Sequence, residues 1–562
     1  MIELFRRLFK HPILSVEILT ATFFIAVFNL ASPIFVISVL NRYVTYGFDG
    51  TLITLTSGML IAVALQYGFR VARTRMLGPL SAGPDMQLEQ KVLGILANAR
   101  AGPLERLPNT RIQEVMGGLQ SIQSAYEVSN LIAVLDAPFS LLYIAATFFL
   151  SPILALIALI GVFVALAMGG FSLLHTRKTT ENLQDASTAH KGLISSAVQS
   201  SDTVRVFDGK NFLFKIWNKQ IEWITTLRLK LANRKEQAQS LILTSSLLMS
   251  VALYTVGAVL VVRGNLTVGA LIGANILASR SYQSIVRFVQ TGYLLFKARR
   301  ALRMLKEFTK LPVEPDTGTA VKQYKGGIQL KDLGFAYPNS TAPLFESLSL
   351  NLSAGSILVV MGKNGTGKTT LAKLIVGLLL PSRGDILVDG IDLRQIAPNW
   401  WRRQVVYFPQ EPTFINATIM DNITLINPEI PGTDLNRIIR MSDLRDFLDR
   451  TKNGLETRLS EGGRHLSLGI RRRLALARAL VTNGMLAVFD EPTEGLDVDG
   501  CQAVYSVLNH LSKAGRTIIA FSADPRIAKG ANYVLDLNEK PVPHLTEQLK
   551  GEEGSGNKEK SV

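Results

Sequence analysis

Six stretches of the chain, near residues 14–40, 51–72, 131–150, 152–175, 241–262 and 266–290, are predominantly apolar. A helix needs about 20 such residues to cross the hydrocarbon of a bilayer, so the pattern predicts six membrane-spanning helices. The first stretch follows Arg6, Arg7 and Lys10, as a secretory signal would. Its apolar run is longer than a signal core and more spans come after it, so it reads as a helix of the chain. Polar segments with helical periodicity, such as Met86 to Leu96 and Thr188 to Leu213, separate spans two from three and four from five. Within or beside them, the short charged stretches Leu104 to Glu114 and Asp208 to Trp217 are candidates for docking onto a soluble domain, or are solvated loops.

After Leu311 the pattern changes. A Pro/Gly/Thr-rich stretch, Pro312 to Thr319, leads into strand-like text from Ile328 to Ala336, and short apolar runs then alternate with helical segments. The expected organisation is a helical six-span membrane domain over 1–311, a linker over 312–327, an α/β domain over 328–546 and a disordered tail over 547–562.

Basic residues set the expected orientation. Arg6, Arg7 and Lys10 precede span one, Arg70, Arg73 and Arg75 close span two, Arg177 and Lys178 follow span four, and Arg287, Lys297, Arg299 and Arg300 follow span six. The positive-inside rule places those ends, and both termini, in the cytoplasm. The formal net charge of +16 is then explained by topology and anionic lipid, and no nucleic-acid partner is expected. A soluble ATPase acting on nucleic acid would need the apolar spans to be core helices, which their lengths and flanking charges oppose. The single cysteine, Cys501, excludes an internal disulfide framework and any multi-cysteine metal centre. Ionisable residues within the spans are few; Glu17, Arg280 and Arg287 are the candidates for facing a cavity or a partner, and of these Arg280 is the candidate for lining a transport path.

The chemistry lies in the second half. The strand Ser356 to Met361 runs directly into Gly362-Lys363-Asn364-Gly365-Thr366-Gly367-Lys368-Thr369, followed by a helical run from Thr370 to Leu380. This is the phosphate-binding spacing G-x-x-x-x-G-K-S/T in its strand, loop and helix setting. The glycines permit a tight loop whose amides converge on phosphates, Lys368 reaches the β- and γ-phosphates, and the Thr369 hydroxyl ligates magnesium. A second strand, Met485 to Phe489, delivers Asp490 and Glu491 at its C-terminal end, where parallel sheets bind ligands. There Asp490 would hold magnesium through water and Glu491 would act as general base on the attacking water.

Tyr337, Gln410 within Tyr407 to Pro412, Leu466-Ser467-Leu468-Gly469-Ile470, Asp490-Glu491-Pro492-Thr493 and Gly495-Leu496-Asp497 occur in the order of an ABC ATPase domain. Fused to six spans, the chain resembles a half-size ABC exporter over nearly its whole length. The resemblance implies a fold of six membrane helices followed by a P-loop ATPase, with ATP and Mg2+ as ligands. It implies nucleotide contacts from Tyr337, the loop Gly362 to Thr370 and Gln410. It also implies metal ligation by Thr369, Gln410 and Asp490, and catalysis by Lys368, Gln410 and Glu491. Ser467 and Gly469 would reach the γ-phosphate bound by a facing chain, so a second exporter chain is an expected partner.

Three positions, in two places, depart from the family pattern. The signature loop carries Leu468 where a glycine is usual and Ile470 where a glutamine is usual, and Ala523 stands where a histidine follows the strand Thr517 to Ser522. Retention of Glu491 favours a working pump, slow or asymmetric. A regulatory, low-turnover half of a heterodimer is the rival.

The membrane half also resembles type I secretion exporters through Ser32 to Val44, Leu135 to Phe139 and Gly269 to Arg280. That resemblance implies residence in a bacterial inner membrane, a periplasmic adaptor and an outer-membrane channel as partners, and an unfolded acidic protein as cargo. Export of lipid, peptide or drug stays open. With no peptidase-like segment before the first span, no leader cleavage is expected of the chain as read.

Overall fold

The computed structural model describes residues 2–319, 321–338, 340, 342–539 and 542–547. Of the expected tail only Glu547 falls among them, where it closes a strand, and 548–562 lie outside the described residues. The chain divides into two compact units: 1–97 with 105–311, and 98–104 with 312–562.

The first unit is helical. Its main elements are α1 (Pro12–Ser38), α2 (Asp49–Asn98), α3 (Asn109–Ala125), α4 (Val128–Asp136), α5 (Ser140–Leu150), α6 (Pro152–Gln199), α7 (Lys210–Val262) and α8 (Val268–Phe308). By length and composition, five helical segments among the described residues are apolar enough to cross a membrane: Pro12–Tyr46, Asp49–Asn98, Val128–Leu150, Pro152–Gln199 and Lys210–Val262. The sixth expected span lies in α8, which does not meet that measure. It carries Arg280 and Arg287, and it is the helix that the others surround, packing on α1, α3, α4, α5, α6 and α7. A helix enclosed by protein needs less apolar surface than one facing lipid. The peripheral helices expose large apolar side chains such as Leu60, Phe149, Phe163, Leu247 and Val262, as a lipid-covered surface requires.

Small residues set how closely these helices approach. A Cβ added at Gly169 would stand 2.1 Å from a Val289 methyl carbon, one at Gly257 would stand 2.1 Å from Leu271, and one at Gly161 would stand 2.5 Å from the Met249 sulfur. Without a hydrophobic drive between helices in lipid, such close packing is a main source of association. α1 ends in a π-helical turn, Val39–Tyr43, whose Asn41 donates to the Thr267 hydroxyl at 2.8 Å and accepts from the Gly269 amide at 3.2 Å. The expected docking stretch 104–114 falls almost wholly in this unit, with Arg111 paired to Glu114 and Glu307, as does 208–217.

The second unit is α/β. Its strands are β1 (Ile328–Phe335), β2 (Phe345–Leu352), β3 (Ile357–Met361), β4 (Arg383–Val388), β5 (Ile391–Asp392), β6 (Val405–Phe408), β7 (Leu486–Asp490), β8 (Thr517–Phe521), β9 (Tyr533–Asp536) and β10 (His544–Glu547). A small antiparallel sheet has the order β2-β1-β4-β5, and a larger one the order β10-β9-β3-β8-β7-β6, parallel except for the edge strand β10. β7 and β8 are buried along their full length, which is why both read as unbroken apolar runs. Tyr324, within the stretch expected as a linker, is buried against Trp401 at 5.2 Å between ring centres. Residues 98–104 join this unit through an antiparallel bridge between Ala99 and Val313.

Candidate active site

The parallel order of the larger sheet puts the C-terminal ends of β3, β6, β7 and β8 on one edge, and the segments that follow β3, β6 and β7 supply residues of one cleft. β3 ends at Met361 and the chain turns through Gly362, Gly365 and Gly367, all at positive φ (156°, 83° and 109°), before α9 (Lys368–Ile375) begins. Side chains would be strained at these angles. At Gly367 a Cβ would also stand 2.7 Å from Leu344 and Phe345. The loop therefore presents backbone rather than side chains at the N-terminus of α9.

A cleft of about 340 Å³ is lined by Tyr337, Leu344, Lys363, Asn364, Gly365, Gly367, Lys368, Thr369, Thr370, Gln410 and Glu491. Lys368 Nζ donates to the Gly362 carbonyl at 2.6 Å and lies 3.0 Å from a Glu491 carboxylate oxygen. The Thr369 hydroxyl donates to Gln410 Oε1 at 3.1 Å, and Gln410 Nε2 donates to Glu494 at 3.0 Å. The Tyr337 hydroxyl is 2.9 Å from that of Thr370, and its ring meets Phe335 edge-on at 5.0 Å. Thr366 turns back to the Lys363 carbonyl at 2.9 Å, bracing the loop.

Asp490 is fully buried, and neither of its oxygens accepts a well-formed hydrogen bond among the described residues, the neighbouring Thr369 hydroxyl being turned to Gln410. Burial pushes its carboxyl up to about 6, with Glu491 adding to the rise and the Thr369 hydroxyl, Lys368 and Arg472 pulling the other way. Glu491 holds a left-handed backbone, φ 47°, rare outside glycine. Its amide donates to the Phe521 carbonyl of β8 at 2.8 Å, and its own carbonyl accepts from Arg472 Nη1 at 2.7 Å. Such strain persists where the surroundings over-determine it, and it is common at functional sites.

Arg472, on α10 (Leu468–Leu480), is the residue sequence reading passed over. It is 2% exposed, and its Nη2 also donates to the Gln410 carbonyl at 2.9 Å, so one guanidinium ties the β6 loop to the end of β7. Burial lowers its pKa while Glu494, Glu491 and Asp490 draw it back up. The signal was its spacing: Arg472 shares a helix face with the buried Ala475, Leu476 and Ala479.

Ser467 and Gly469 do not line this cleft. Ser467 caps α10, its hydroxyl accepting from the Ile470 amide at 3.3 Å, and a Cβ at Gly469 would meet nothing within 4 Å. Leu468 leans on Gly495, where a Cβ would stand 2.7 Å from its methyl carbon. Ala523 follows β8 two residues after the carbonyl that holds Glu491, and no histidine lines the cleft among the described residues. Cys501 is half-buried, with only weak contacts from its thiol to the Thr493 and Leu496 carbonyls.

Residues 345–494 match the family described as ABC transporter, and residues 16–284 match the ABC transporter transmembrane region. The chain belongs to the ABC transporters, with a transmembrane region and an ATPase domain fused in one polypeptide. It is 28% identical over 534 residues to the alpha-hemolysin translocation ATP-binding protein HlyB of Escherichia coli O157:H7, spanning 94% of this chain and 74% of that protein. It is 25% identical over 557 residues to the exotoxin translocation ATP-binding protein PaxB of Pasteurella aerogenes, spanning 98% and 77%. A solved bacterial Atm1-family ABC exporter with ATP bound shares the fold, with a TM-score of 0.82 at 19% identity over 95% of each chain. This chain is thus a multi-pass membrane protein, an ATP-driven exporter that couples hydrolysis to transport.

Proposed function

We propose that the chain is a polypeptide exporter of the type I secretion kind, working as a dimer that closes around ATP. The observation that carries the ATPase assignment is the meeting of Lys368, Thr369, Gln410, Asp490 and Glu491 at one sheet edge. Polypeptide cargo is supported by the toxin-translocation relatives, which match 94–98% of the chain. Residues 1–311 form the transmembrane domain and 328–546 the nucleotide-binding domain. Both termini and the ATPase domain lie on the cytoplasmic face of a bacterial inner membrane, where the basic residues flanking the spans belong.

In this reading Tyr337 stacks on the adenine, while the loop amides and Lys368 hold the β- and γ-phosphates. Lys368 now neutralises Glu491, so phosphate competes for the ammonium and frees the Glu491 carboxylate to take a proton from the attacking water. Magnesium fits the donors present: an orphaned buried carboxylate at Asp490 beside the hydroxyl of Thr369 and the amide oxygen of Gln410. Bound there, the ion would neutralise charge on the phosphates. Because Ser467 and Gly469 stand outside the cleft, they serve the site of a facing chain, and a dimer completes both sites. An adaptor and an outer-membrane channel complete the path.

The test is ATP hydrolysis by the purified chain in nanodiscs, alone and with an unfolded acidic polypeptide, a phospholipid or a small drug. Hydrolysis should disappear in Glu491→Gln and rise with the polypeptide. Stimulation by lipid or drug alone would sink the cargo assignment. The second reading, a regulatory half, is favoured by Ala523 beside the Glu491 support and by Leu468 over Gly495. It requires negligible turnover until another exporter chain is added.

A further inference from the structure

Four arginines, Arg70, Arg73, Arg280 and Arg287, line one cavity of about 480 Å³ in the first unit, together with a single carboxylate, Asp136. Two come from α2 and two from α8, all within or at the end of membrane-spanning segments. Guanidinium groups stay charged at any accessible pH, so the cavity holds four positive charges against one negative.

Their partners differ. Arg73, 5% exposed, has its Nη1 2.6 Å from Asp136. Arg280 is held without being neutralised. Its Nη1 donates to the backbone carbonyl of Asn29, whose helical donor would be residue 33. That residue is Pro33, inside α1, and proline has no N–H to give. The proline thus creates the acceptor that fixes Arg280 over the cavity. The Asn29 side chain donates to the Tyr143 hydroxyl at 3.1 Å and accepts from Gln66 at 2.7 Å, which stiffens this wall. The side chains of Arg70 and Arg287 have no ion-pair or hydrogen-bond partner among the described residues.

Unpaired charge at membrane depth is costly and marks a ligand or ion path. The planar guanidinium fork matches carboxylate and phosphate groups in bidentate fashion. The volume falls within the roughly 300–1,000 Å³ of ligand pockets. Ile25, Ala26, Ile132 and Phe139 are the apolar part of a mostly polar lining, which offers little wall to an acyl chain. We propose that this cavity is a cargo-recognition site that takes the carboxylates of an acidic, extended polypeptide segment. Arg70 and Arg287 are the free anion-binding pair and Arg280 is the preset third cation. The proposal rests on the polypeptide-export reading and names the chemistry of its cargo.

The test uses the full chain in nanodiscs of zwitterionic phospholipid and a fluorescein-labelled octa-aspartate read by anisotropy. Octa-aspartate should bind, and the paired change Arg70→Gln with Arg287→Gln should weaken it by about tenfold or more, since each loses a charge-assisted contact. Lysine at both positions should recover part of the loss, and octa-asparagine should not bind. Equal binding by the double variant and the unaltered chain would overturn the site. So would displacement of the peptide by succinate at equal carboxylate concentration, which would assign a small dicarboxylate instead. Retention of phosphatidylglycerol by the unaltered chain but not by the variant, without peptide binding, would assign a lipid headgroup. Nucleotide binding at the P-loop checks that the variant is folded. Should it fail there, Arg280→Gln asks the same question with one change. A chain that still answers polypeptide in the ATPase test yet binds no octa-aspartate overturns this site and leaves the export reading standing.

Discussion

Asp136, partly exposed at a cavity wall, and Asp490, fully buried, are carboxylates that the two units treat in opposite ways. In the membrane unit Asp136 is held at 2.6 Å by a buried guanidinium, Arg73, and the pair satisfies each other's charge. In the ATPase unit Asp490 is fully buried with neither oxygen accepting a well-formed hydrogen bond among the described residues, and its carboxyl rises to about 6. One acid contributes to a finished structure. The other is kept costly, with acceptors aimed at a group supplied from outside. The cations reverse the pattern: Lys368 of the ATPase unit is covered by Glu491, whereas Arg70 and Arg287 of the membrane unit are left without counter-charge.

The two aspartates are therefore expected to answer the same substitution with opposite signs. Asp136→Asn leaves Arg73 as an uncompensated buried charge and should destabilise the membrane unit by about 3 kcal/mol or more, read as a lowered thermal midpoint of the chain in nanodiscs. No loss would show that the pair is not structural and would break the comparison. Asp490→Asn should stabilise the nucleotide-free ATPase unit at neutral pH by up to about 3 kcal/mol, while hydrolysis is lost. The sign follows from a folded-state pKa above the usual 3.8. Stability tied to the protonated acid is fully present below about pH 4 and is lost as pH rises through about 6. The gain from asparagine should thus shrink to nothing as pH falls from 7 to 4, and a gain independent of pH would refute the burial argument.

Smaller effects sharpen the contrast. Arg472→Leu removes two bonds to the Gln410 and Glu491 carbonyls and should cost about 2 kcal/mol of stability. It should lower kcat more than it raises KM for ATP, because what it positions is the base. A change in KM alone would place Arg472 in nucleotide binding instead. The smallest expected effect is a gain: Ala523→His should raise turnover by about tenfold if a missing positioned imidazole limits hydrolysis. An unchanged rate would mean that another group already does the imidazole's task, or that Leu468 is the obstacle.

The six apolar stretches, the change of character after Leu311 and the P-loop could be read from residue order. Each depends on neighbours within about 20 positions, and there local periodicity and hydropathy speak directly. Asp490 and Glu491 were legible as the polar end of an apolar strand. Arg472 was hidden because an arginine on a helix reads as a surface charge until its partners, 62 and 19 positions away, are known. The cavity was hidden for a stronger reason. The three membrane stretches singled out in the sequence, Ser32 to Val44, Leu135 to Phe139 and Gly269 to Arg280, carried no sign that they meet. In the structure Asn41 reaches Gly269, a Cβ at Gly273 would meet Ile37 at 2.5 Å, and Asp136 and Arg280 line one cavity.

Residue order by itself determined that this chain has a lipid-buried helical half and a phosphate-binding α/β half, since crossing hydrocarbon and cradling phosphate each impose a contiguous pattern. Only the tertiary structure decided which charges are compensated. A buried ion's cost depends on groups within a few ångströms of it, and those groups arrive from helices and strands far apart in the chain.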